Sequence, residues 1–304
     1  MEYILKTVNL SKKYKNKLVL DKVNISVKRG DVYGFVGENG SGKTTVIRLV
    51  CGLINSSGGG VELFGVKDTD PAISAQRKKI GAVVETPSIY LNMSAVDNLK
   101  MQYDILGLKN PDKIAEVLEE VGLSYLINDK KHAGNFSLGM RQRLGIAMAL
   151  LCEPELLILD EPMNGLDPTG IVEMRELILK LNREKNVTFL ISSHILTELS
   201  LVATTYGIIS KGKLITEISA QELQRACERS VYLQADDNAK LYEVLKARFG
   251  ENVKVDGAGV RVYGNIDLNG VLACAMQECK LITVDNSRFG IEEYYLSIMG
   301  GGRV

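Results

Sequence analysis

Hydrophobic residues follow two different patterns along this chain. Up to about residue 67, "YILKTVNLSKKY", "LVLDKVNISVKRGD" and "GGGVELFG" alternate apolar with polar positions and break at turn residues, as antiparallel strands do. By contrast, "VYGFV" (32–36), "IGAVV" (80–84), "ELLILD" (155–160), "VTFLIS" (187–192) and "TYGIIS" (205–210) are short continuous apolar runs, the mark of strands buried on both faces. Helical spacing separates most of them. "TTVIRLVCGLI" follows the first run, and a long, mostly helical insertion between Val84 and Glu155 includes "PDKIAEVLEEVGL" and "MRQRLGIAMALL". Buried strands alternating with helices predict a parallel sheet with crossovers. From about Ser219 the pattern restarts: strand "SVYLQA", helix "AKLYEVLKARF", strands "VKVDG" and "GVRVYG", a helix near "NGVLACAMQEC", and strand "KLITVD". The expected organisation is an α/β domain over residues 1–218, with a helical part at about 88–150, and a small separate α/β domain over 219–304.

Composition narrows this outline. The 304 residues are 45% hydrophobic, enough for a substantial core and a smaller second unit. Lys+Arg 37 balances Asp+Glu 37, so nothing global points to nucleic acid as a partner, and KKYKNK at 12–17 reads as a solvated edge. The start, MEYILKTVNL, lacks the basic and then apolar build of a signal peptide, and no segment approaches the roughly 18 apolar residues of a membrane span. A soluble protein able to dock on a membrane component is expected. The five cysteines, Cys51, Cys152, Cys227, Cys274 and Cys279, are odd in number and scattered, which reads as reduced cytosolic thiols. Cys274 and Cys279 lack CxxC spacing, and the two histidines, His132 and His194, are far away in sequence, so no zinc site is expected.

Two motifs carry chemistry. "GENGSGKTT", Gly37 to Thr45, matches G-x-x-x-x-G-K-[ST] between a predicted strand and a predicted helix, and reads as a phosphate-binding loop. Its glycines let consecutive N–H groups turn inward, and the helix N-terminus adds positive potential. Gly37, Asn39, Gly40, Ser41, Gly42, Lys43, Thr44 and Thr45 are the expected ATP contacts. Lys43 reaches the β- and γ-phosphates, and the Thr44 hydroxyl ligates Mg²⁺. "LLILDEP" (156–162) is a buried strand ending in Asp160, which can hold Mg²⁺ directly or through water. Glu161 is adjacent and points elsewhere, and a carboxylate beside the γ-phosphate can accept the proton of an attacking water. The bland alternative for Glu161 is a strand-end carboxylate that caps a helix.

With these motifs in this order, the chain resembles the ATP-binding subunits of ABC transporters from about residue 3 to 218. The resemblance implies an ABC-type P-loop cassette with a parallel core sheet, an antiparallel β subdomain and a helical subdomain. Tyr14 in "KKYKNKLVL" occupies the position where the family stacks an aromatic ring on adenine. "FSLGMRQRLGIAMAL" (136–150) is similar to the signature motif and its helix, but departs from LSGGQ: Leu138 replaces a glycine and Met140 a glutamine. Ser137 and Gly139 remain, able to offer a hydroxyl and a close backbone N–H to a γ-phosphate. "NGLD" (164–167), ending in Asp167, matches the loop that crosses the dimer interface, and His194 in "ISSHIL" matches the switch histidine. The implied cofactors are ATP and Mg²⁺. The implied partners are a second ATP-binding subunit, most simply a second copy in a head-to-tail homodimer, and a membrane-spanning permease that holds the chain at the inner face of the membrane.

Glu85, after the apolar run ending at Val84, falls where the family usually has a glutamine that touches Mg²⁺ and whose loop meets the membrane subunit. A carboxylate can still ligate Mg²⁺, since oxygen is the donor in either residue, but it brings negative charge near a triphosphate. The alternative is a Glu85 turned to solvent. That replacement, "SLGM" and the ending "IEEYYLSIMGG" together are similar to the subgroup of bacitracin-resistance and lantibiotic-immunity exporters. The expected function is ATP hydrolysis that powers export of antimicrobial peptides. A soluble, non-transport ABC ATPase is the first rival, disfavoured because such proteins resemble tandem cassettes or carry long coiled-coil insertions. A nucleotide-binding regulator without turnover is the second, disfavoured by Glu161 and His194.

Overall fold

The alternating N-terminal segments form an antiparallel sheet, and the continuous apolar runs form a parallel one. In the computed structural model, β1 (Tyr3–Tyr14), β2 (Lys17–Val23) and β3 (Ser26–Lys28) precede the first buried strand, β4 (Val32–Val36). β5 (Gly58–Leu63) and β6 (Val66–Lys67) complete the antiparallel sheet, in the order β2-β1-β5-β6 with β3 also on β1. The second sheet takes β4, β7 (Ile80–Val83), β8 (Leu156–Asp160), β9 (Thr188–Ser193) and β10 (Thr205–Ser210), in the order β10-β4-β9-β8-β7, all parallel. A sixth strand, β11 (Lys213–Ser219), returns antiparallel on β10. β4 and β8 are buried along their whole length, which is why neither shows the alternation of a half-solvated strand.

The described residues are 2–226, 230–264 and 267–286, with Ile291, Tyr294, Tyr295 and Ile298 beyond them. Cys227 and most of "IEEYYLSIMGG" lie outside the described residues. The chain divides into two units, Met1–Ala220 and Gln221–Val304.

Helix α1 (Lys43–Val50) follows β4 and is shorter than "TTVIRLVCGLI" suggests, because the chain turns at Gly52 instead of continuing to Ile54. Its Val46, Ile47 and Val50 join Phe35 of β4 and Ile158 of β8 in one buried cluster. Fully burying such a side chain contributes about 1.5–3 kcal/mol, so the helix is fixed firmly over the strands whose ends it faces. After the short α2 (Ile73–Arg77), the insertion contains α3 (Ala95–Leu106), α4 (Lys113–Glu120) and α5 (Leu138–Leu150). Ser94 caps α3 by accepting from Asp97 N at 3.1 Å, and Leu99, Val117, Leu118 and Leu144 bury its apolar stripes. α6 (Pro168–Lys185), with proline in its first turn, and the short α7 (Leu196–Leu199) complete the crossovers. α8 (Ala220–Ala226) follows β11 directly.

In the second unit, β12 (Ser230–Ala235), α9 (Asn238–Phe249), β13 (Val253–Asp256), β14 (Gly259–Tyr263), α10 (Leu268–Glu278) and β15 (Leu281–Asp285) follow the order βαββαβ. Its sheet, β13-β14-β12-β15, is antiparallel throughout. Leu233, Leu241, Leu245, Val260 and Val271 form its separate core.

Candidate active site

Because β4, β9, β8 and β7 are neighbours and parallel, their carboxyl ends open at one edge of the sheet, where ligands bind in such folds. β4 delivers loop 37–42, β8 delivers Asp160 and Glu161, β9 delivers His194, and β7 delivers Glu85.

The loop wraps closely onto its surroundings. A Cβ on Gly37 would lie 2.4 Å from the Ile209 carbonyl oxygen, so no larger residue fits there. Gly42, at φ +113°, caps α1 without a side chain and leaves the helix's first N–H groups open to an anion. Ser41 Oγ is buried with no hydrogen-bond partner, an unsatisfied group that a phosphate oxygen would satisfy. Lys43 is only 5% exposed, and its ammonium donates to Gly37 O at 2.6 Å and to Glu38 O at 3.3 Å. Asn39 and Gly40 are exposed at the loop's tip, and Thr45 is half-buried on the first turn of α1.

Thr44 Oγ1 donates to Asp160 Oδ2 at 2.8 Å, which brings together the two residues expected to hold Mg²⁺. Asp160 is buried, and its other oxygen accepts from Ser192 Oγ at 2.5 Å. Ser192 was not singled out from the sequence. It stands level with Asp160 in the parallel register of β8 and β9, and its hydroxyl also accepts from Glu161 N at 2.9 Å. The paired serines of "ISSH", just before the histidine, were the available signal.

Glu161 turns away from the strand with φ +51°, a left-handed conformation that is uncommon for a side chain of this size and clusters at functional sites. That turn aims its carboxylate at two partners. Oε2 lies 2.8 Å from His194 Nδ1 and also accepts His194 N at 3.3 Å, while Oε1 forms an ion pair with Lys43 Nζ at 3.1 Å. Burial raises the nearby Glu198 carboxyl above its ordinary range.

At the same edge Glu85 also has a left-handed backbone, with φ +60°. In the register of β7 and β8, Val83 pairs with Leu159, so Val84 stands level with Asp160 and Glu85 lies just beyond that edge. Its carboxylate accepts from Arg48 Nη2 of α1 at 2.6 Å, with the two side chains 56% and 39% exposed. Glu85 is turned to solvent, as the second sequence reading has it, and rests there on Arg48, which neither reading anticipates; no hydrogen bond joins it to Thr44 or Asp160 among the described residues. Close behind, α5 crosses this segment at Gly145, where a Cβ would lie 2.6 Å from Pro87 Cβ.

The remaining candidates lie elsewhere on the first unit. Tyr14 ends β1, 44% exposed, with Lys12 Nζ 4.9 Å above its ring. Ser137 caps α5 by accepting from Met140 N at 3.2 Å, and Gly139 sits in that helix's first turn. Asp167 caps α6 by accepting from Gly170 N at 3.1 Å. Among the described residues, no hydrogen bond or ion pair joins these groups to the phosphate loop of their own chain.

The arrangement can hold a polyphosphate on backbone N–H groups and a buried ammonium, and can present a carboxylate, oriented by a histidine, to an attacking water. Comparison with known proteins agrees. The model of the ABC transporter family matches residues 20–164. The bacitracin transport ATP-binding protein BcrA of Bacillus licheniformis is 42% identical, with 100% of each chain covered. The lantibiotic transport ATP-binding protein SrtF of Streptococcus pyogenes is 42% identical over 70% of this chain and 90% of its own. A solved ATP-binding subunit of an ABC transporter superposes with a TM-score of 0.64 at 28% identity, covering 73% of this chain and 92% of that one. By fold, by phosphate loop and by relatives alike, the chain belongs to the ATP-binding, ATP-hydrolysing subunits of ABC transporters.

Proposed function

We propose that two copies of this chain pair head-to-tail and hydrolyse ATP to drive export of antimicrobial peptides of the bacitracin or lantibiotic type through a membrane permease. The observation that carries this reading is the 42% identity to a bacitracin transport ATP-binding protein over the whole of both chains. The likeness extends through residues 219–304, which we assign as an accessory domain to the cassette of residues 1–218.

In this reading the open N–H groups of the phosphate loop and the first turn of α1 and the Lys43 ammonium cradle the phosphates, Tyr14 carries the adenine, and Ser137, Gly139 and Asp167 act on the nucleotide of the partner subunit. Glu161 takes the proton of the attacking water. His194, 2.8 Å away, fixes the orientation of that carboxylate. Thr44 Oγ1 and Asp160 Oδ2 would hold Mg²⁺. Among the described residues no cluster of three His, Cys, Asp or Glu could form a protein-only cage, which suits an ion that keeps waters and takes its other ligands from phosphates. Bound there, the ion would neutralise charge developing on the phosphates. Glu85 would add its oxygen by leaving Arg48.

No described helix is long and apolar enough to cross a membrane, so the pathway would come from a permease and the chain would sit at the cytoplasmic face. The groove between Val84, Pro87, Gln102 and Met148 offers that permease a docking place beside Glu85. The test is affinity purification of the tagged chain from membranes of its own cell, with a deletion strain challenged by bacitracin and by a lantibiotic. A polytopic membrane protein should co-purify, and the deletion strain should become sensitive. A chain found only in the soluble fraction, with unchanged sensitivity, would overturn the transport role in favour of a non-transport ATPase.

A further inference from the structure

Leu138 stands where the resemblance leads one to expect a glycine, and the fold gives its side chain a specific contact. It is the first residue of α5, directly after the capping Ser137, and is 37% exposed. Its Cδ2 reaches across to the loop 164–167: a Cβ built on Gly165 would lie 3.1 Å from it. Gly165 has φ +75°, so this position favours glycine's conformational freedom, and a side chain there would press on Leu138. A second contact runs the opposite way. Leu166 Cδ2 lies 3.7 Å from where a Gly139 Cβ would be. Each leucine thus lies over a glycine of the other segment, bringing the first turn of α5 close to this loop.

The loop is tied just as closely to the catalytic edge. Asn164 N donates to Glu161 O at 3.1 Å, Leu166 N donates to Met163 O at 3.2 Å, and Asp167 caps α6. A displacement of the α5 terminus thus has a short, packed route to the backbone of Glu161: Leu138, Gly165, Asn164, Glu161. Of the residues on that route, Glu161 meets the phosphate loop, through its ion pair with Lys43.

We infer that Leu138 is a positioning residue that couples the two ATP sites of a dimer of this chain. The inference rests on the head-to-tail reading above, in which Ser137 and Gly139 meet the partner's ATP while Glu161 acts on the chain's own. ATP in the partner's site draws in the N-terminus of α5. Leu138 passes that movement to Gly165, and the loop sets the Glu161 backbone for hydrolysis of the chain's own ATP. With glycine at 138 the terminus could close over ATP without moving the loop.

The experiment compares wild type, Leu138→Gly, Leu138→Ala and Leu138→Met in the full chain, with circular dichroism to establish the fold. The first readout needs no dimer: amide hydrogen exchange of residues 164–167 in the nucleotide-free protein should speed up about five- to tenfold in Leu138→Gly and return close to wild type in Leu138→Met. The second is the dependence of turnover on ATP. Wild type should show a Hill coefficient above one, limited by its two sites to at most about two, and Leu138→Gly should fall to about one. The third is sedimentation of Glu161→Gln with ATP, with and without Leu138→Gly. Equal exchange and equal Hill coefficients for wild type, Leu138→Gly and Leu138→Ala, with a dimer still formed, would overturn the coupling and leave the dimer reading intact. A Glu161→Gln protein that stays monomeric with ATP would overturn the dimer reading, and the coupling with it.

Discussion

Replacing Glu161 by glutamine should separate two jobs that this carboxylate performs. The amide keeps the size and can stay against His194, but it neither accepts a proton nor balances Lys43. A positioned general base contributes about 10²–10⁴-fold, so turnover should fall by that factor while the phosphate contacts survive. Binding should move the other way. Lys43, 5% exposed, has its ammonium 3.1 Å from Glu161 Oε1, so arriving phosphates must share that charge with a carboxylate that also repels them. An ion pair of this kind, largely out of solvent, is worth about 1 kcal/mol or a little more, and passing it to the phosphates tightens ATP binding roughly five- to tenfold. Single-turnover hydrolysis of radiolabelled ATP measures the first effect, and equilibrium titration with a fluorescent ATP analogue measures the second. Turnover within a few-fold of wild type would remove Glu161 from the base role. Weaker ATP binding would refute the competition for Lys43.

Glu85→Gln should preserve the fold, since its pair with Arg48 is exposed and such pairs contribute about 0.2–1 kcal/mol, whereas Glu85→Ala should lose more turnover as Mg²⁺ is lowered. Identical turnover curves against Mg²⁺ for wild type and Glu85→Ala would leave Glu85 as a partner of Arg48 and nothing more. A third prediction concerns acid stability: the hydrogen bond from Arg29 at 2.6 Å holds the Glu155 carboxyl below its ordinary range. A carboxyl lowered in the folded state stabilises above its unfolded value of about 4.5 and loses that contribution as pH falls through the folded value. Glu155→Gln should therefore be less stable than wild type at pH 7 by under about 1 kcal/mol, and the gap in urea midpoints should close by about pH 3. A gap that stays constant with pH would refute the assignment.

The sequence made the central sheet and the phosphate loop plain because both rest on local signals. "VYGFV" and "ELLILD" are apolar without alternation since their strands are covered on both faces, and "GENGSGKTT" sits between strand and helix. What stayed hidden depends on register or on a single backbone angle. Ser192 matters because parallel pairing sets it beside Asp160, which no local pattern encodes. The sequence leaves Glu85 between metal and solvent, while a left-handed φ and an arginine on a helix distant in sequence decide where its carboxylate lies. The end of α1 was overestimated because its apolar spacing continues past Gly52, where the chain has already turned.

The close crossing of α5 over Pro87 makes that helix a lever. Its 13 residues form a rod about 20 Å long, with Gly145 resting on Pro87 near the middle and Leu138 and Ser137 at one tip. Seven residues separate the fulcrum from Leu138, an arm of about 10 Å, so a tilt of roughly 10° sweeps the tip by about 2 Å. That is enough to make or break a hydrogen bond. Gly145 keeps the fulcrum tight, since any side chain there would wedge the rod off its support. In the proposed transporter, a push on the segment that carries Pro87 would therefore reach the far tip through the helix as a unit.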